Sequence, residues 1–203
     1  MLDAIRNWLR RPSGPAVIVV SGLPRSGTSM MMRMLASGGL EIVSDGVRSA
    51  DAGNPAGYYE CERVKTLDTN ADKSWLETAR GKAIKIISFL LRDLPETNNY
   101  RVIFMHRDLD EIMASQQKML GPPGAPPDRA ADERIAMGFR NHLNTVRHLI
   151  LSRPCFDVLD VHYPDVLDRS LQEAERINGF LDGGLDLSRM AAVVDRTLYR
   201  SRR

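Results

Sequence analysis

The stretch AVIVVSGLPRSGTS, residues 16–29, decides the fold. Its first five residues are apolar and mostly β-branched, which is typical of a strand buried on both faces. The residues that follow are mostly small or polar and lead into a methionine-rich segment, Met30 to Leu35, with the periodicity of a helix. A strand, a glycine-containing turn and a helix in this order bring backbone N–H groups and a helix N-terminus to one point. The segment therefore predicts a loop that binds a phosphate-like anion.

The rest of the chain continues the alternation of strands and helices. Further buried strands are predicted at residues 82–87, 101–105 and 156–161. Helices are predicted after the loop up to Gly38, at residues 59–67, at 108–120 with Asp108 as N-cap and Glu111 in a variant capping box, and along 135–150. Residues 44–57 form a long, glycine-rich loop and residues 121–127 a firm break. We therefore expect an α/β fold of three layers, with a mostly parallel central sheet and helices on both faces.

Length and composition limit the class of protein. A chain of 203 residues with 43% hydrophobic and 27% charged residues fits one globular domain over 1–203, with residues 1–14 as an N-terminal helical extension. The net charge of +2 argues against a nonspecific nucleic-acid binder. No apolar run approaches the roughly 18 residues of a membrane span, and the N-terminus lacks the pattern of a signal peptide. Cys61 and Cys155 have neither metal-ligand spacing nor a disulfide framework around them, so we expect a cytoplasmic protein.

The loop differs from that of an ATP-using enzyme at one position. Its glycine spacing matches the Walker A pattern G-x4-G-K-[ST], but Thr28 stands where that pattern has lysine, and the basic residue is Arg25. Without the lysine, an ATP-using enzyme would lose the charge that reaches the β- and γ-phosphates. A kinase-like phosphotransferase remains an alternative, with Asp160 as the best available carboxylate for Mg²⁺. A noncatalytic nucleotide-binding domain is a third possibility.

Two motifs together resemble a known family. Residues 23–28, LPRSGT, resemble the 5′-phosphosulfate-binding loop of the sulfotransferases that use 3′-phosphoadenosine 5′-phosphosulfate (PAPS). Residues 104–107, FMHR, are followed by a helix with Ser115, and the family binds the 3′-phosphate with an Arg at this strand end and a Ser eight positions later. Ser115 lies on the face of that helix towards which an extended Arg107 can reach.

The resemblance implies a function and a set of binding residues. It implies a P-loop NTPase-like fold and transfer of a sulfuryl group from PAPS to a hydroxyl or amine, with release of adenosine 3′,5′-bisphosphate and no metal. The acceptor would be a small molecule, a glycan or a peptide. The implied cofactor-binding residues are Arg25, Ser26, Gly27, Thr28 and Ser29 for the phosphosulfate, Arg107 and Ser115 for the 3′-phosphate, and the C-terminal Arg196 or Arg200 over the latter.

The resemblance leaves the catalytic base open. Small-molecule sulfotransferases use a histidine two residues after a lysine; Lys85 matches that lysine, but Ile87 stands at the histidine position. Glycan and protein-tyrosine sulfotransferases use a glutamate after the phosphosulfate loop, and Glu60 is the candidate here. The alternatives are Glu41, Glu62 and the four histidines, His106, His142, His148 and His162. We expect Lys85 near the bridging oxygen of the leaving group, although a lysine on an exposed strand face would look the same in the sequence. Arg25 of the loop is predicted to take part in catalysis as well.

Overall fold

The computed structural model describes residues 12, 14–47, 57–120 and 129–195. The predicted N-terminal helix, most of the glycine-rich loop, the break at 121–127, and Arg196 and Arg200 lie outside these residues. Five strands and six α-helices lie within the described residues.

The core of the fold is a five-stranded sheet in which every paired strand is parallel to its neighbours. The strands are β1 (Val17–Gly22), β2 (Ile42–Val43), β3 (Ala83–Lys85), β4 (Tyr100–His106) and β5 (Phe156–His162), in the order β2-β3-β1-β4-β5. The chain therefore moves to one side of β1 for β2 and β3, and to the other side for β4 and β5. In open parallel sheets, ligands bind beyond the carboxyl ends of the strands at such a reversal.

Helices cover both faces of the sheet. They are α1 (Thr28–Ser37), α2 (Leu109–Leu120), α3 (Arg129–Ser152), α4 (Tyr163–Asp168), α5 (Ser170–Phe180) and α6 (Leu187–Ala192). Neighbouring residues of one strand face opposite ways, so Val19 belongs to the core under α3, while Val20 belongs to the core under α1, α5 and α6. The expected α/β architecture with a parallel sheet between helical layers is confirmed.

Several elements differ from what the sequence predicts. The strand predicted at 82–87 covers only Ala83–Lys85, and the two-residue strand β2 was not predicted. The helix predicted at 59–67 is wrong: a 3₁₀ helix, Glu62–Thr66, stands in its place. Tyr59 has a φ of 50°, outside the right-handed helical region, and the carbonyl oxygen of Glu60 accepts hydrogen bonds from Asp45 N and Ser44 Oγ. These contacts hold residues 59–60 in a loop.

Two other helices follow their predictions closely. Helix α1 ends at Gly38, and α2 begins after Asp108, whose Oδ1 accepts from the backbone N–H groups of Asp110 and Glu111. Asp108 is thus the predicted N-cap. The carboxylate of Glu111, by contrast, binds Arg107, which lies four residues before it. Two further 3₁₀ helices, Ser74–Ala79 and Ser88–Asp93, flank β3.

Candidate functional site

The loop between β1 and α1 is tightly folded and depends on its two glycines. Gly22 and Gly27 have φ values of 144° and 101°, in the region that favours glycine. A Cβ atom on Gly22 would lie 2.6 Å from the carbonyl oxygen of Met105, and one on Gly27 would overlap the ring of Tyr163. Arg25, between them, adopts a left-handed conformation with φ of 72°. The loop thus has a specific shape that other residues at these positions would disturb.

The chemistry of the loop fits a phosphate-like group. Ser26 is only 1% exposed, and its Oγ has no hydrogen-bond partner among the residues that the structure describes. A buried hydroxyl without a partner is costly unless something else binds it. The hydroxyl lies in a loop that leads directly into the N-terminus of α1, whose partial positive charge favours an anion. The positive charge of Arg25 adds to this preference.

The strands bring the candidate residues to the same edge of the sheet. In β1, Val20 pairs with Lys85 of β3, and Gly22 pairs with Met105 of β4. Arg107 directly follows β4. The loop, Lys85 and Arg107 therefore all stand at the carboxyl edge, where β1 separates the two halves of the sheet.

Hydrogen bonds connect the two motifs. The Nε of Arg25 donates to Ser115 Oγ over 2.9 Å, and Nη1 of Arg107 donates to the carbonyl oxygen of Arg25 over 3.1 Å. The sequence had suggested that Arg107 itself reaches Ser115; the hydrogen bond that we find at the Ser115 hydroxyl comes from Arg25. Residues separated by 82–90 positions in the chain thus form one partly buried polar cluster.

Arg107 also has contacts that sequence reasoning missed. Its Nε donates to Glu111 Oε2 over 2.9 Å, and both side chains are less than 10% exposed. Its guanidinium carbon lies 4.7 Å from the ring centroid of buried Tyr163. Burial raises the pKa of the Tyr163 hydroxyl, and the positive charge of Arg107 acts in the opposite direction.

A second cluster lies at the end of β3. The Nζ of Lys85 donates to the carbonyl oxygen of Tyr58 and stands 3.4 Å from Oε1 of Glu60. Lys85 is buried, so the interpretation as a lysine on an exposed strand face is wrong. Glu60 remains 19% exposed, and its other carboxylate oxygen lies 4.0 Å from Nζ of Lys65. The structure thus brings together Lys85 and Glu60, two of the residues that the resemblance assigned to the transfer step.

The other two candidate glutamates lie on exposed surface. Glu41, with its side chain 67% exposed, pairs with Lys82, and Glu62 pairs with Lys65 over 2.6 Å. Lys82 and Lys85 thus each pair with a glutamate, but only the Lys85–Glu60 pair is largely buried.

The histidines lie in other surroundings. His106 contacts Asp160 over 2.6 Å, and its ring stacks on that of His162, with the two histidines at the carboxyl ends of β4 and β5. Asp160, the best carboxylate for a kinase-like reaction, is therefore bound to a histidine. His142 on α3 contacts Ser88 Oγ over 2.9 Å, and burial lowers the pKa of its imidazole. His148 is exposed.

Two kinds of feature are absent from the described residues. No three His, Cys, Asp or Glu residues in that part of the chain are grouped so that they could hold a metal ion. None of the helices described above is long and apolar enough to cross a membrane.

Comparison with known proteins adds evidence on the fold. No protein-family model matches the sequence, and no curated protein matches it. The structure of mouse sulfotransferase SULT7A1 in complex with PAP is similar over 99% of this chain and 72% of that one, with 14% identity and a TM-score of 0.53. The other similar structures include the sulfotransferase domain of the curacin biosynthetic pathway, with 16% identity over 84% of this chain and 75% of that one and a TM-score of 0.46. Sulfotransferase STF9 from Mycobacterium avium has 16% identity over 100% of this chain and 72% of that one, with a TM-score of 0.48.

The likeness to the mouse enzyme spans nearly the whole chain, and its TM-score lies above 0.5. It agrees with the parallel central sheet and the helices around it. This chain has the sulfotransferase fold.

Proposed function

We propose that the protein is a PAPS-dependent sulfotransferase. It would transfer a sulfuryl group to a hydroxyl or amine and release adenosine 3′,5′-bisphosphate. The observation that carries this proposal is the contact between the two motifs. Arg25 of the loop binds Ser115, and Arg107 binds the loop backbone, at the carboxyl edge of a sheet with the sulfotransferase fold. A nucleotide with phosphates on the 3′ and 5′ positions of one ribose needs two anion sites close to each other.

The binding roles follow from the chemistry of the residues. The loop, with Arg25, the buried hydroxyl of Ser26, and the backbone of Gly27, Thr28 and Ser29 at the start of α1, would hold the 5′-phosphosulfate. Arg107 and Ser115 would hold the 3′-phosphate, since a guanidinium supplies charged donors in a fixed plane and a hydroxyl adds one more. Arg196 or Arg200, outside the described residues, would add positive charge over the same phosphate.

The transfer step requires two further functions from the chain. PAPS, when bound, supplies a sulfuryl group on a good leaving group. Lys85 would stabilise the negative charge that develops on the leaving oxygen, and Glu60 would accept the proton of the acceptor. Their separation of 3.4 Å supports joint action at one reaction centre, and the partial exposure of Glu60 leaves its carboxylate open towards an acceptor.

The remaining properties concern the acceptor, the domain organisation and the compartment. The acceptor would be a small molecule, a glycan or a peptide, and it would meet Glu60 near Tyr58 and Tyr59. The chain would act as one domain over residues 1–203, with 1–14 as an extension. Cys61 and Cys155 are buried, and two cysteines at this spacing make no disulfide framework, so we place the protein in a reducing, cytoplasmic compartment.

Nucleotide binding tests the proposal directly. Adenosine 3′,5′-bisphosphate should raise the melting temperature, and at 100 times its Kd it should add about 2.7 kcal/mol to the free energy of unfolding. ATP at the same concentration should do much less, because it lacks the 3′-phosphate. Differential scanning fluorimetry with both nucleotides measures the difference.

A pair of variants on β4 provides the control. Arg107→Ala should abolish most of the shift, whereas Arg101→Ala, at the opposite end of the same strand and paired with Asp182, should keep it. Equal shifts from the two nucleotides, or an undiminished shift in Arg107→Ala, would contradict the proposal. Binding without turnover on any acceptor would instead favour a noncatalytic nucleotide-binding domain.

Metal dependence separates the proposed reaction from a kinase-like one. A sulfuryl group carries less charge than a terminal phosphoryl group, so Arg25 and the loop amides can hold it without a cation. We therefore expect turnover with PAPS to be unchanged in excess EDTA. A loss of turnover that Mg²⁺ restores would support the phosphotransferase alternative.

A further inference from the structure

The guanidinium of Arg107 is held from two sides by residues that the proposed binding roles do not include. Glu111, four residues along the chain, binds its Nε edge over 2.9 Å, and the ring of Tyr163 lies against its face at 4.7 Å. All three side chains are nearly inaccessible to solvent. An arginine side chain on the surface samples many rotamers, and these contacts remove most of that freedom.

The contacts also connect Arg107 to the phosphosulfate loop. The same Tyr163 ring fills the space beside Gly27 that a Cβ atom would need, and Nη1 of Arg107 donates to the carbonyl oxygen of Arg25. Tyr163 therefore touches both the loop and the guanidinium. A displacement of its ring would disturb the two anion sites together.

We propose that Glu111 and Tyr163 are positioning residues that fix Arg107 in the orientation needed to recognise the 3′-phosphate. Glu111 acts on the edge of the guanidinium and Tyr163 on its face, so that the donors directed away from Glu111 have a defined plane before the nucleotide arrives. The inference rests on the proposed function, because it assumes that Arg107 binds a 3′-phosphate. It adds that the preference for this phosphate depends on two residues with no direct contact with it.

The negative charge of Glu111 is unfavourable beside a site proposed to bind an anion. Its carboxylate is an anion bound to the arginine that would hold the 3′-phosphate, and like charges repel. An apolar residue at position 111 would avoid the repulsion but would leave the buried Nε–H of Arg107 without this acceptor. The carboxylate is therefore best explained by the orientation that it gives to Arg107.

Relative affinity for two nucleotides tests the inference. Calorimetric titration would give Kd for adenosine 3′,5′-bisphosphate and for adenosine 5′-phosphate, which lacks the 3′-phosphate, in the wild type and in Glu111→Ala. We expect Glu111→Ala to lower the preference for the bisphosphate by about tenfold, the value of one hydrogen bond to a charged group. Its affinity for adenosine 5′-phosphate should stay unchanged. Glu111→Gln, which keeps an acceptor for Nε, should retain most of the preference.

Matched variants separate positioning from general stability. Glu173→Ala removes a similarly buried glutamate, paired with Arg176 on α5, and should leave the preference at the wild-type value. Tyr163→Phe keeps the ring and should behave as wild type. Tyr163→Leu removes the ring from both the loop and Arg107, so it should weaken binding of both nucleotides, and that of the bisphosphate more. If Glu111→Ala does not fold, the two Tyr163 variants decide the question.

The possible failures are distinguishable. A wild-type protein that binds both nucleotides equally would overturn the proposed function itself. In a second case, the wild type prefers the bisphosphate while the variants keep that preference, or lose affinity for both nucleotides in equal proportion. Either result would overturn only the positioning roles.

Discussion

Replacing Glu60 with Gln is expected to lower turnover by about 10²–10⁴-fold, the usual contribution of a general base. Glutamine keeps the size of the side chain and much of its hydrogen bonding but cannot take a proton from the acceptor. The carboxylate lies at the end of a loop, 3.4 Å from Nζ of Lys85, and Glu60 is not among the residues proposed to bind the nucleotide. Affinity for adenosine 3′,5′-bisphosphate should therefore remain at the wild-type value, as measured by calorimetric titration.

Glu41→Gln is the matched control for this variant. Glu41 also pairs with a lysine beside β3, but it lies on exposed surface, so its replacement should leave turnover unchanged. A Glu60→Gln variant with near wild-type turnover would contradict the assignment and direct attention to Glu62 or the histidines. A general loss of stability would weaken nucleotide binding as well, which separates it from loss of the base.

The parts of the fold that the sequence predicted have strong local causes. The apolar run at residues 16–20 can be buried on both faces only in a central strand, and Gly22 and Gly27 adopt conformations that other residues avoid. The end of α1 at Gly38 and the N-cap Asp108 likewise depend on neighbours within a few residues. These features could be predicted because each is decided within a short segment.

The parts that were missed depend on contacts between distant segments. Residues 59–60 stay in a loop because Ser44 and Asp45 bind the carbonyl oxygen of Glu60, and nothing in residues 59–67 signals that contact. The role of Tyr163 follows from its position against Gly27, more than 130 residues away. The sequence predicts Glu111 as a helix-capping residue. Its spacing of four residues from Arg107, at the start of a helix, indicates an ion pair between the two.

Lys85 is the other residue whose replacement should affect turnover strongly. Its ammonium group is buried at the carboxyl end of β3, one strand away from the loop after β1, and it donates to the carbonyl oxygen of Tyr58. A fixed charge in a partly dry site interacts with a developing anion far more strongly than a charge in water does. A mobile surface lysine would first have to lose its hydration and its freedom, so the burial of Lys85 suits it to stabilise the leaving oxygen.

Lys85→Met, which keeps the length of the side chain without its charge, is therefore expected to lower turnover by about 10²–10³-fold. The effect should fall mainly on kcat, because the charge matters most as the leaving oxygen becomes negative. Lys82→Met, three residues earlier and paired with exposed Glu41, should leave kcat unchanged. If Lys85→Met raised KM and left kcat unchanged, Lys85 would stabilise bound PAPS and the transition state equally, and the proposed role would be wrong. If the double variant lost much less turnover than the product of the two single-variant losses, Lys85 and Glu60 would act as one unit at the reaction centre.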